Sequence, residues 1–250
     1  MQPLLKFAAC RYNAKRFLNG PKHMNEKTNL ADSAYLQLKR DITSGAFKPD
    51  DKLLMSHLRD RYEIGTGPMR EALSRLVAEH LVTAASQRGF RVAAMSTAEL
   101  HDIYFARASL EAMIAELAVQ KGDDSWEASV IASAHTLSRV EEVENAEQML
   151  SLWDSRHKAF HNAIASGCGS NKLMELRTTM LDQAERYRQL WLRHTVFSPE
   201  ALAHKRNEHK VLIETLLSRD ANKVRTLVFE HMMNPIPIIE QILQEQGLAG

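Results

Sequence analysis

The six residues Glu63-Ile64-Gly65-Thr66-Gly67-Pro68 constrain this chain more than any other stretch. Two glycines and a proline so close together force a tight connection between the helical stripe before them and the one after. Pro68 suits the first turn of the second helix, because it lacks a donor that would be unpaired there. Upstream, Ala31, Ala34, Tyr35, Leu38 and Ile42 repeat at helical spacing until Gly45 and Pro49 stop them. A short second helix follows, with Leu54, Leu58 and Tyr62 expected inward. Downstream, Met69, Ala72, Leu73, Leu76 and Val77 share one face. Two β-prone runs, Leu81-Val82-Thr83 and Phe90-Arg91-Val92, then flank Gln87-Arg88-Gly89. Helix, helix, turn, helix and hairpin in this order predict a winged helix-turn-helix over residues 28–95.

From Ser96 onward the pattern is helical, with polar breaks near 122–125, 143–146, 167–171, 196–199 and 218–221. No strand-like alternation or internal repeat appears, so residues 96–250 read as an all-α bundle that senses a ligand and pairs with a second copy. Ser96-Thr97-Ala98-Glu99 is a candidate capping box. Pro235 and Pro237 are expected to bend the last helical stretch. Residues 1–27 carry Lys6, Arg11, Lys15, Arg16 and Lys22 and read as a flexible basic arm, with Met24 as an alternative start.

Composition excludes several classes. No apolar run approaches the roughly 20 residues needed to span a bilayer. Cys10 and Cys168 stand far apart, which gives no disulfide framework and fits a reducing cytoplasm. The net charge is +1, so any case for nucleic acid rests on a local motif rather than on bulk charge.

Such a motif is present. A recognition helix places its first turns against base edges in the major groove. Arg70 lies in that first turn, opposite Met69, Leu73 and Leu76, where it can donate two bonds to a guanine. Thr66 and Gly67 leave backbone donors open to a phosphate. Ser56 and Arg59 open the preceding helix and can touch the DNA backbone. Arg88-Gly89 forms the expected wing tip. A three-helix domain with an ordinary solvated face is the plainer reading; the order of elements, the turn and the basic hairpin together outweigh it.

In the bundle, polar groups stand where apolar ones belong. Leu100, Ile103, Arg107, Leu110, Ile114 and Leu117 form one stripe, interrupted by Arg107. A charge there needs a partner. Glu111, one turn on, is one; a carboxylate ligand gripped by the guanidinium is another. Histidines repeat the anomaly. His157 and His161 share a side with Trp153, Phe160 and Ile164; His209 leads Leu212, Ile213 and Leu216; His231 follows Val224, Leu227 and Val228. Four such histidines on three helices are expected to converge on a divalent metal, with zinc, nickel, iron and manganese all open.

Gly65-Thr66-Gly67-Pro68-Met69-Arg70-Glu71-Ala72-Leu73, Glu79-His80-Leu81-Val82 and Arg88-Gly89-Phe90-Arg91-Val92 resemble the signature of the GntR family of transcription regulators. Gly65-Thr66 replaces the family's Ser-Arg, so one DNA-contacting arginine is missing. Arg107-x-x-Leu110-Glu111, Phe160-His161 and Glu208-His209…Asp220…His231 resemble the FCD ligand-sensing domain of the FadR-type subfamily. That resemblance implies a metal held by His161, His209 and His231, with His157 where the subfamily has an aspartate and Asp154 as a substitute. Tyr187-Arg188, Trp191-Leu192-Arg193 and Pro235-Ile236-Pro237 extend the likeness to the carbon-starvation-induced, glutarate-responsive repressors of this subfamily. It implies a cytoplasmic homodimeric repressor on a palindromic operator, released by glutarate or a related dicarboxylate. Arg186 or Arg188 would then join Arg107 on a second carboxylate, unless both merely face solvent.

Two other functions are weighed. His157 and His161 have the spacing of a zinc-protease helix, but Lys158 stands where the general-base glutamate would be. No Glu-x-x-His pair, phosphate loop or nucleophile elbow supports an enzyme. A regulator for which the metal itself is the signal remains the alternative.

Overall fold

A computed structural model describes residues 26–85 and 89–248. Most of the basic arm, and Arg88 of the wing tip, lie outside the described residues. Helix α1 (Glu26–Thr43) buries Ala34, Leu38 and Ile42 against α3 (Thr66–Ala78), whose Met69, Ala72, Leu73 and Leu76 are equally enclosed. These residues recur every three or four positions, so each helix offers one apolar stripe to the shared core. Gly45, at φ 76°, turns the chain into a short strand β1 (Lys52–Leu53) that the sequence pattern did not suggest. This strand corrects one expectation. Successive side chains of extended backbone point to opposite sides. Leu53 therefore enters the core, and Leu54, expected inward, is 46% exposed.

Helix α2 (Met55–Tyr62) ends at Glu63, whose φ of 54° reverses the chain toward Gly65 and α3. Asp41 of α1 clamps α2 by accepting from Arg61 Nη2 (2.7 Å) and the Tyr62 hydroxyl (2.8 Å). Strands β2 (Val82–Ala85) and β3 (Gly89–Val92) form the hairpin, and β1 pairs antiparallel with β3, giving the order β1-β3-β2. The result is a winged helix-turn-helix.

The helical domain begins at α4 (Thr97–Lys121) and continues through α5 (Asp124–Ser138), a short α6 (Ala146–Gln148), a π-helical turn (Met149–Asp154) running into α7 (Ser155–Ser166), then α8 (Asn171–His194), α9 (Pro199–Leu217), α10 (Ala221–Met233) and α11 (Ile236–Glu245). Pro235 and Pro237 separate two helices rather than bending one. Among the described residues, no helix is long and apolar enough to cross a membrane.

The capping box at α4 is modified. Ser96 Oγ accepts from the Glu99 amide at 3.1 Å, as expected. The return bond is replaced by Tyr187 of α8, whose hydroxyl accepts from the Ser96 amide (3.2 Å) and donates to Glu99 Oε2 (2.6 Å). The start of the helical domain is thus anchored to α8.

Candidate functional site

The DNA-reading end follows from α3. Gly65 is its N-cap and supplies no side-chain acceptor, so the first amides of the helix keep their hydrogen-bonding capacity. Arg70 and Gly67 are exposed there, with Thr66 partly covered. Ser56 and Arg59 are exposed at the start and middle of α2. Gly89, at φ 85°, opens β3 in a conformation that a side chain would strain. Arg75, further along α3, faces the other way: it pairs with Asp32 (2.6 Å) and lies over the Tyr35 ring, 3.8 Å from its centroid.

The four histidines converge. One ring nitrogen from each of His157, His161, His209 and His231 lies within 4.8 Å of the other three. Helix α7 supplies the first two, one turn apart on its inward face; α9 and α10 supply the others. His161 Nε2 is 3.1 Å from His157 Nε2 and 3.2 Å from His231 Nε2. Nitrogen ligands of a tetrahedral ion at the usual bond lengths sit roughly 3.3 Å apart, so this spacing suits a shared cation. His209 shows the fit from another side. Its Nε2 is a buried ring nitrogen with no hydrogen-bond partner.

Burial holds His157, His161 and His231 well below the ordinary imidazole range; neighbouring imidazoles and Arg188, with Arg107 at His161 and His231, lower them further. Burial likewise brings His209 down to about 4, against the opposing charge of Glu208. All four are therefore neutral near pH 7, with lone pairs available, which is the form that binds metals. Trp153, carried by the π turn, stacks on His157 with ring centroids 4.6 Å apart. Asp154 is directed elsewhere: it accepts from Arg188 Nε (2.7 Å) and pairs with Lys158 (2.9 Å), so it does not take the place of His157 in the cluster.

Beside the histidines lies a cavity of about 220 Å³ between α4, α7 and α8. Its walls include His157, His161, Arg107, Arg177, Arg188, Lys158 and Asn162, with Asp182 and Glu185 on α8. Arg107 is 7% exposed, and its Nε has no hydrogen-bond partner. Burial presses its pKa down, with the Glu111 carboxylate partly offsetting this. Glu111 nevertheless bonds another residue: Arg177 Nε donates to its Oε2 at 2.9 Å, and Arg177 Nη1 donates to Asn162 (2.8 Å). Of the two partners open to Arg107 in the sequence, Glu111 is therefore taken by Arg177.

Two further arginines part company. Arg188 is buried at the cavity wall, paired with Asp154 and 3.2 Å from His157 Nδ1. Arg186, expected beside Arg107, points to the opposite side of α8. It donates to the backbone carbonyls of Ala93 and Ala94 in the linker between the domains. Residues two apart on a helix lie about 200° apart around its axis, so both cannot face one cavity. Sequence reasoning missed Arg177. Its signal was the seven-residue spacing Arg177, Ala184, Trp191 along the buried face of α8.

Comparison with known proteins agrees with this architecture. The model of the family described as bacterial regulatory proteins, gntR family, matches residues 30–92, and the FCD domain model matches residues 102–234. The HTH-type transcriptional repressor GlaR of Escherichia coli K12 is 51% identical over 209 residues, covering 84% of this chain and 95% of that protein. The HTH-type transcriptional regulator BphR of Paraburkholderia xenovorans LB400 is 33% identical over 215 residues, 85% of this chain and 86% of that one. Among solved structures, E. coli McbR/YncC shares the fold with a TM-score of 0.68 at 22% identity, covering 85% of this chain and 97% of that one.

Proposed function

Since the chain belongs to the gntR family of bacterial regulatory proteins and carries an FCD domain, which makes it a DNA-binding regulator and not an enzyme, we propose that it is a repressor released by a short dicarboxylate bound beside a divalent metal. The carrying observation is Arg107: a buried guanidinium with an unpartnered Nε, facing a cavity that is also lined by His157 and His161 of the histidine cluster. A buried charge of this kind needs an anion. A carboxylate supplies one, and a guanidinium can hold it through two parallel bonds.

His161, His209 and His231, with His157, would hold the metal, zinc or nickel being the best suited to imidazole nitrogen. When bound, it would add positive charge beside Arg107, which favours an anion in the cavity. The chain's own residues do the rest. Arg107 orients the acid, and Arg188 keeps Asp154 neutralised at the wall. Trp153 and Phe160 cover the cluster from the far side. Glutarate is the first candidate acid, and the 51% identity to the repressor GlaR supports repression as the action on DNA.

On DNA, a homodimer would present two copies of α3 to a palindromic operator, with half-sites about one helical turn apart or less. Acid binding shifts helices of the bundle and changes the arrangement of the two heads. The test is operator binding by fluorescence anisotropy with a panel of C4–C6 dicarboxylates, on metal-loaded and chelated protein. Glutarate or a near relative is expected to weaken binding at least about tenfold. The Arg107→Gln variant should hold operator but ignore the acid. Operator affinity set by the metal alone, with no acid effective, would overturn the reading.

A further inference from the structure

The cavity reaches the DNA-binding head through a single side chain. Asp182 lines its α8 wall. Its Oδ2 lies 2.6 Å from Lys39 Nζ on α1. Lys39 in turn lies 2.9 Å from Glu79 Oε2, at the C-terminal end of α3, and 2.9 Å from the Tyr35 hydroxyl. Tyr35 donates to Glu79 (2.6 Å) and carries Arg75 of α3 on its ring. One ammonium thus ties α1 and α3 to α8, largely out of water, its side chain 18% exposed, and Gln183 Nε2 of α8 adds a 3.4 Å bond to the Glu79 carbonyl.

We infer that Asp182 is the residue through which an acid in the cavity acts on DNA binding: the far carboxylate of a bound diacid loosens Asp182 from Lys39 and frees α1 and α3 from α8. This rests on the proposed acid site. With one carboxylate on Arg107 near the histidines, a diacid directs its second toward the α8 wall. The cations there are already engaged, Lys158 by Asp154 and Glu185, Arg177 by Glu111 and Asn162. A second carboxylate must draw on those cations and bring its charge against Asp182. Unit charges about 4 Å apart repel several-fold more strongly in a partly buried site than in water. Burial already raises the Asp182 pKa against the pull of Lys39. A monocarboxylate of equal length fills the Arg107 end and brings no charge to Asp182.

The experiment pairs operator binding by anisotropy with acid binding by calorimetry on the full chain, Asp182→Asn and Lys39→Met. Lys39→Met leaves the cavity lining intact and guards against local damage from the first variant. Both variants are expected to retain glutarate binding, with Asp182→Asn binding it more tightly than the parent because the repulsion of the second carboxylate is gone. Without acid, each should hold operator as weakly as the acid-bound parent, and glutarate should change that by less than about twofold. Pentanoate should leave the parent's operator affinity unchanged. Tight acid-free operator binding and a full glutarate response in both variants, or equal release by pentanoate, would overturn the assignment of Asp182. A parent that neither binds glutarate nor responds to it would sink the acid site itself.

Discussion

Arg177 of α8 donates from Nε to Glu111 Oε2 of α4 at 2.9 Å, with both side chains 5% exposed. The pair, whose arginine lines the cavity, leaves Arg107, one turn before Glu111, without the partner that sequence proximity offered. Which arginine a carboxylate chooses decides which arginine can receive a ligand.

That pairing gives the first prediction. Removing one partner of a buried ion pair leaves an uncompensated charge, typically costing about 3–5 kcal/mol. Glu111→Ala should lower the chain's unfolding free energy by an amount in this range. Glu111→Ala together with Arg177→Met should recover a large part of it. Denaturant unfolding of the single and double variants checks both, and an additive double variant would contradict the pairing.

The histidine cluster predicts metal content. His161 touches two of the other three imidazoles, so His161→Ala should abolish stoichiometric binding. Elemental analysis after dialysis is the measurement, and thermal melting with and without chelator is a second readout. A ligand that binds only the native state stabilises it by about 2.7 kcal/mol at a hundredfold excess over its Kd. The parent should therefore melt lower after chelation, and His161→Ala should show no difference.

Arg70 is the assigned base reader. A bidentate arginine–guanine contact is worth about 1–3 kcal/mol of discrimination. Arg70→Ala should reduce the preference for operator over random duplex by about one to two orders of magnitude, with an unchanged melting temperature because the side chain is exposed. Competition titrations at fixed salt measure that ratio; an unaltered ratio would move base reading to another residue.

Asp41 makes the head sensitive to acid. Burial works against its charge, but the bonds from Tyr62 and Arg61 prevail and hold its pKa below the ordinary aspartate value. A carboxylate depressed in the folded state contributes stability above its unfolded pKa and loses it as pH falls through the folded one. Stability of the parent should therefore decline with acid across and below the usual aspartate range. Asp41→Asn should be less stable at neutral pH and show a shallower decline, read from chemical denaturation at stepped pH.

The amino-acid sequence by itself determined the order of the helices and the hairpin and most of the inward faces, though not β1 or the outward turn of Leu54. Apolar spacing, glycines at forced turns and caps such as Ser96 act over a few residues and need no distant partner. It also marked the four histidines and Arg107, because a polar group on an apolar stripe is anomalous wherever the chain goes. Only the tertiary structure decided the pairings. Lys39 meets Asp182 across 143 positions, Arg177 takes Glu111 across 66, and Arg186 and Arg188 separate to opposite sides of one helix. Charges choose partners by distance and burial after the helices have packed, and spacing along one strand of sequence carries no record of that choice.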